Sequence, residues 1–134
     1  MKYDDASWHY GGDFPKGLPP EAGATHIGMF LAWAIQRNLV APSLREVAPE
    51  AFEAVRRRTI TGAQFLMQHC DEKLIDDDLN EEGSAFARSY YEQKYLTDYC
   101  SVLLPYEDAD SWNNYDKVAP LLDERLQRWR ESRE

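Results

Sequence analysis

Ile27, Phe30, Leu31 and Ala34 recur at three- and four-residue steps, and Met29 and Trp33 lay a second apolar stripe on the same stretch. The spacing predicts a helix over residues 25–38 that is apolar on two faces and therefore central. Arg37 and Asn38 suit its C-terminal end. A second helix is expected at Pro49, with Glu50 and Glu53 early, Arg56, Arg57 and Arg58 late, and Phe52 and Val55 facing the core. Thr61 and Gln64 have the spacing of a capping box, so a third helix should start there and run to about Cys70.

Residues 71–82 read as an acidic connection pinned to the core by Leu74, Ile75 and Leu79. Phe86, Tyr90, Tyr91, Tyr95, Leu96, Tyr99, Val102 and Leu103 then repeat mainly at helical separations, predicting a long helix over residues 81–104 that Pro105 stops. Tyr115, Val118, Ala119, Leu122, Leu126 and Trp129 predict a last amphipathic helix, with Pro120 tolerable only near its start or at a kink. Residues 1–23 differ: Gly11, Gly12, Pro15, Gly17, Pro19 and Pro20 forbid a continuous helix or central strand. Trp8, Tyr10 and Phe14 give that segment the apolar area to pack as an ordered arm. No alternating strand pattern is visible. The expectation is an all-α, compact single domain over residues 1–134: a bundle of about five helices with an aromatic, Gly/Pro-rich N-terminal arm over the central helix.

A length of 134 residues with 43% hydrophobic and 13% aromatic side chains is enough to bury one core without staples. The net charge of −9 argues against nucleic-acid binding, which needs clustered Lys and Arg, and makes a basic partner the easier one to accommodate. Cys70 and Cys100 lack the spacing of a zinc or redox pair and are expected to be buried, reduced thiols. The N-terminus lacks the order of a secretory signal, and no apolar run nears the roughly 18 residues needed to cross a bilayer. A cytoplasmic protein without membrane association is expected.

Candidate chemistry is sparse. Asp76, Asp78 and Asn80 match the first ligand positions of an EF-hand, but Glu81 and Ala87 stand where Gly and Glu are required, so this stretch is expected to be an exposed helix start. No sequence pattern assigns a metal ligand or cofactor. Asp4, Asp5, Ser7 and His9 supply the residue types of an acid–base site, and His26 can join them in space. The alternative site is therefore a ligand or metal pocket at Asp4, Asp5, Trp8, His9 and His26, with the competing reading that Asp4, Asp5 and Asp13 cap turns while Trp8 anchors the arm. Tyr91, Tyr95 and Tyr99 share a helix face. With Glu92, Asp98, Glu107, Asp108 and Asp110 they suit a surface that steers and binds a basic protein.

The strings YDDASWHYGG at residues 3–12 and GATHIGMFLAW at 23–33, with DLNEEG at 78–83 and WNNYDK at 112–117, resemble a family of small uncharacterised bacterial proteins, a domain of unknown function. The resemblance spans nearly the whole chain and implies no catalytic residue. Small acidic proteins of this kind occur as immunity partners of secreted toxins, so it allows that role by analogy. The leading expectation is a protein-binding module, most plausibly an immunity protein covering a basic toxin domain. The rivals are the Asp4–His26 pocket as an enzyme or ligand-binding site, and a homo-oligomer joined through Leu122, Leu126 and Trp129.

Overall fold

The computed structural model describes residues 1–11 and 16–133. Gly12, Asp13, Phe14 and Pro15, to which the sequence reading assigned part of the N-terminal arm and a turn cap, lie outside them. The chain is mostly helical, as its periodicity predicts, and carries a small antiparallel sheet as well. In order the elements are β1 (Lys2–Asp5), α1 (Ala6–Tyr10), a 3-10 turn (Pro20–Ala24), α2 (Thr25–Gln36), α3 (Pro42–Val47), α4 (Pro49–Arg56), α5 (Gly62–His69), β2 (Lys73–Ile75), a second 3-10 turn (Asp76–Asp78), α6 (Glu81–Tyr90), a π-helical turn (Tyr91–Tyr95), α7 (Leu96–Cys100) and α8 (Trp112–Ser132). No described helix is long and apolar enough to cross a membrane.

Helix α2 is the axis of the fold, with every residue from Thr25 to Ile35 buried. Two residues past its end at Gln36, Asn38 has a φ of 59°, a left-handed conformation that Asn tolerates better than most residues. Helix α5 crosses α2 closely: a methyl on Gly28 would overlap the Ala63 backbone, and one on Gly62 would overlap the Gly28 carbonyl. Two facing glycines let the backbones meet where any side chain would hold them apart. The α5 cap forms as its sequence predicts, with Thr61 Oγ1 accepting from the Gln64 amide and Gln64 Oε1 accepting from the Thr61 amide. Short α3 was not anticipated. Pro42 at its first turn and Leu44 as its buried side chain are its only strong local signals.

The long helix expected over residues 81–104 is interrupted by the π turn at Tyr91–Tyr95 and ends at Cys100. An extra residue in a turn shifts the register, so Tyr90, Tyr91, Tyr95 and Tyr99 all become buried. Helix α8 contains Pro120 in its interior, without the helix starting beside it. Pro120 removes the donor to the Asp116 carbonyl, and both residues are exposed, leaving that carbonyl to water. Asp123 ties α8 to α2, accepting from Trp33 Nε1 at 2.8 Å and from both nitrogens of a bidentate Arg37. Leu122 and Leu126 are buried in the chain's own core, and the Trp129 ring packs 5.6 Å from that of Phe86. The stripe proposed to join a second copy is therefore used within the chain.

The first residues, expected to form an ordered arm without a strand, instead begin with one. Lys2–Asp5 pairs with Lys73–Ile75, with an irregularity between Lys2 and Asp4. Tyr3, Asp4 and Asp5 are all buried, so β1 lacks the alternation by which a half-buried strand is recognised. The Tyr3 hydroxyl reaches Ser84 on α6, 2.6 Å from its Oγ, and fixes the strand against the bundle. Trp8 does not anchor this segment: it is 55% exposed, with Lys2 Nζ 4.9 Å from its ring.

Candidate functional site

Asp5 ends β1 and starts α1. Its Oδ1 accepts from the Ser7 amide at 2.9 Å and hydroxyl at 2.7 Å, while Lys2 Nζ donates to Oδ2. Those bonds make it a helix cap, as the turn-capping reading expected, and occupy its carboxylate. Asp4 points the other way. Its Oδ1 accepts from His9 Nε2 at 2.8 Å and from the Asp5 amide at 2.8 Å. Its Oδ2 accepts from the Tyr91 hydroxyl at 2.7 Å, and His26 Nε2 lies 3.3 Å away. Strand β1, helix α1, the first turn of α2 and the π turn thus converge on one buried carboxylate.

A carboxylate only accepts, so His9 Nε2 carries a hydrogen and donates it to Asp4, while its Nδ1 lies 2.7 Å from the Tyr106 hydroxyl. The two imidazoles meet edge to face with ring centroids 4.4 Å apart. Tyr95 donates its hydroxyl to the His26 carbonyl and stacks on Tyr91 at 4.9 Å. His26 Nδ1 is buried and has no hydrogen-bond partner among the described residues.

Burial opposes charge at Asp4, His26, Tyr91 and Tyr95. It pushes the Asp4 carboxyl up, but the hydrogen bonds from His26, His9 and Tyr91 outweigh it and hold Asp4 well below the usual carboxylate range. Burial pulls the His26 imidazole down against the opposing pull of Asp4, favouring its neutral form. Tyr91 and Tyr95 are driven well above the ordinary phenol range by burial, with the Asp4 charge adding to it. Asp4, His9 and His26 each offer a ligand atom, and all of those atoms lie within 4.8 Å of one another.

The alternative pocket of the sequence reading is therefore divided. Asp4, His9 and His26 come together, Asp5 is a cap beside them, and Trp8 faces solvent. The tyrosine-bearing surface is corrected: Tyr91, Tyr95 and Tyr99 are 5%, 1% and 0% exposed, because the face they share is the inner one. Asp98 is also committed within the chain, taking a bidentate Arg125 from α8 and the Tyr90 hydroxyl. Glu92 stays exposed.

Glu107, Asp108 and Asp110 instead line a pocket of about 500 Å³ between the first 3-10 turn, α5 and the loop before α8. Its walls include Leu18, Ala22, Ala63 and Met67, and Glu21 adds a fourth carboxylate to the lining. Asp110 accepts from Thr61 Oγ1 at 2.5 Å, and Asp108 accepts from the Leu104 amide at 2.6 Å, so the loop is held by the carboxylates it presents. Burial raises the Asp110 pKa, against the Thr61 bond. Tyr106 and Thr25 line the same pocket, which brings it to within one side chain of the histidine cluster.

Sequence reasoning missed Tyr106, which has no periodic or motif signal and sits at a left-handed φ of 69°. It also misplaced Tyr91 and Tyr95, although their four-residue spacing on an apolar helix face is itself an inward-pointing signal. Neither thiol matches its expectation of full burial: Cys70 is half-buried and Cys100 exposed. Burial pushes the Cys70 thiol up to about 12.

Architecture and site together define a mostly helical domain that buries an Asp–His–His cluster next to an acidic-rimmed pocket. The chain belongs to the family described as Domain of unknown function (DUF7832), whose profile matches residues 2–112. That span includes β1, α1 and α2 and ends at the first residue of α8. No curated protein and no solved structure matches the chain.

Proposed function

We propose that this chain is a binding protein whose pocket between α5 and the loop before α8 receives a cation carried on an apolar body. The observation that carries the reading is the lining. Among its described residues are four carboxylates, Glu21, Glu107, Asp108 and Asp110, and no Lys, Arg or His, over walls that are largely apolar. A volume of about 500 Å³ is in the range of small-ligand sites. An apolar wall supplies burial energy, and unopposed carboxylates at the rim select for positive charge and raise the rate of encounter.

Two sources carry this chemistry: a basic, partly apolar segment of a partner protein, such as the toxin domain that an immunity protein covers, and a free amphipathic amine. The net charge of −9 supports either, since long-range attraction acts on both. The test is a heteronuclear NMR titration of the full chain, observing the Met67 methyl and the Ala22 and Ala63 resonances. One arm adds an arylalkyl amine, a second a short peptide alternating Arg and Leu, a third an arylalkyl carboxylate of matched size. Saturable shifts at those residues with the amine or peptide, weakened by Glu107→Lys, support the reading and identify the source. Shifts only with the carboxylate, or no saturable shift in any arm, overturn it.

A further inference from the structure

We infer that Asp4, His9 and His26 form a binding site for a divalent transition-metal ion of the zinc class. The inference is independent of the pocket's occupant and rests on the cluster's geometry. The donor set is two imidazoles and one carboxylate. That mixture suits zinc, cobalt, nickel or ferrous iron, whereas calcium and magnesium favour all-oxygen shells. With metal–ligand bonds near 2.05 Å, the edge of a tetrahedral shell is about 3.3 Å. His26 Nε2 and Asp4 Oδ2 are 3.3 Å apart, His9 Nε2 and Asp4 Oδ1 2.8 Å, and the three ligand atoms fall within 4.8 Å. These separations are of the size that one shared ion requires.

Charge accounting points the same way. Asp4 is 7% exposed, and its ion-pair contacts among the described residues are the two imidazoles, with no Lys or Arg. A buried carboxylate is ordinarily matched by a cation, and a metal ion supplies that match. The surroundings have the form of an outer ligand shell. The Tyr91 hydroxyl and the Asp5 amide orient Asp4, and the Tyr106 hydroxyl lies 2.7 Å from His9 Nδ1. With His9 Nε2 on the metal, the ring's N–H is at Nδ1, where the Tyr106 hydroxyl oxygen is placed to accept its hydrogen bond. Three protein ligands leave a fourth position for water or a ligand atom, on a cluster joined to the acidic pocket through Tyr106.

The experiment uses the full chain stripped by a chelator and titrated with Zn²⁺ against a chromophoric competitor. One zinc per chain is expected, with affinity at least about 100-fold lower in His9→Gln, beyond the range of an outer-shell change, and unaltered in His69→Ala. Zinc binding that survives His9→Gln, binding lost in His69→Ala, or no binding by the parent chain each overturn the inference. Should His9→Gln fail to fold, Co²⁺ added to the parent chain replaces it. Paramagnetic shifts on the ring protons of His9 and His26 support the site, and shifts confined to His69, or none, refute it.

Discussion

The crossing of α2 and α5 yields the sharpest stability prediction. Gly62 is the first residue of α5, and replacing it with Ala ordinarily favours a helix by up to about 1 kcal/mol. Here the added methyl overlaps the Gly28 carbonyl oxygen and falls 2.8 Å from its carbon and 2.9 Å from Ala32 Cβ. The obstacle is backbone in the most buried helix of the fold, so the helices must separate. Overpacking of that kind costs about 1–3 kcal/mol and sometimes more. At the upper end of that range, because the obstacle is backbone, and with the propensity gain deducted, Gly62→Ala should destabilise by about 2 kcal/mol, lowering Tm by about 6–10 °C in a domain of this size. Urea denaturation followed by tryptophan fluorescence measures this, and the m value should be unchanged because the same surface is exposed on unfolding. Gly17→Ala separates strain from clash: Gly17 has a φ of +89° but open space around it, so its cost is conformational alone, about 1 kcal/mol. A Gly62→Ala protein as stable as the parent would refute the claim that the two glycines set the helix spacing.

Thr61→Ala removes both the α5 cap and the hydroxyl that holds Asp110, and should cost about 1–2 kcal/mol in denaturant unfolding while weakening any cationic ligand of the acidic pocket. In acid, burial pushes the Asp98 carboxyl up, but Arg125 and Tyr90 outweigh it and hold its pKa below the ordinary carboxylate value. The folded state therefore binds fewer protons, and this contribution is present above about pH 5 and lost as pH falls through the folded pKa. Arg125→Gln should flatten the acid limb of a plot of urea midpoint against pH, and an unaltered slope would show that the pair is not what sets it. Labelling of the native chain with a thiol reagent should modify Cys100 rapidly and Cys70 slowly, because Cys70 is half-buried with its thiol pushed up to about 12. Equal rates at the two would contradict the burial of Cys70.

Local pattern was enough for much of the helical framework. The stripes at Ile27, Phe30, Leu31 and Ala34 identified α2 as central, the Thr61–Gln64 spacing located the start of α5, and Leu74 and Leu79 were placed against the core, where both are buried. These features are written within a turn or two of chain, because the side facing the core must be apolar at the period of the element. The strand β1 was not legible, since it is buried without alternation, and neither was the π turn, which places Tyr90 and Tyr91 inside together.

The composition of the sites belongs to the tertiary structure. Asp4 meets Tyr91 across 87 positions, and His9 meets Tyr106 across 97. Nothing near Asp4 in sequence distinguishes it from its neighbour Asp5, yet one is a helix cap and the other the centre of a buried polar cluster. The chain by itself determined which segments coil and which faces seek the interior, because those depend on neighbouring residues. Which carboxylate meets which imidazole was decided only when the apolar faces packed, because burial and hydrogen-bond pairing are properties of contacts between distant segments.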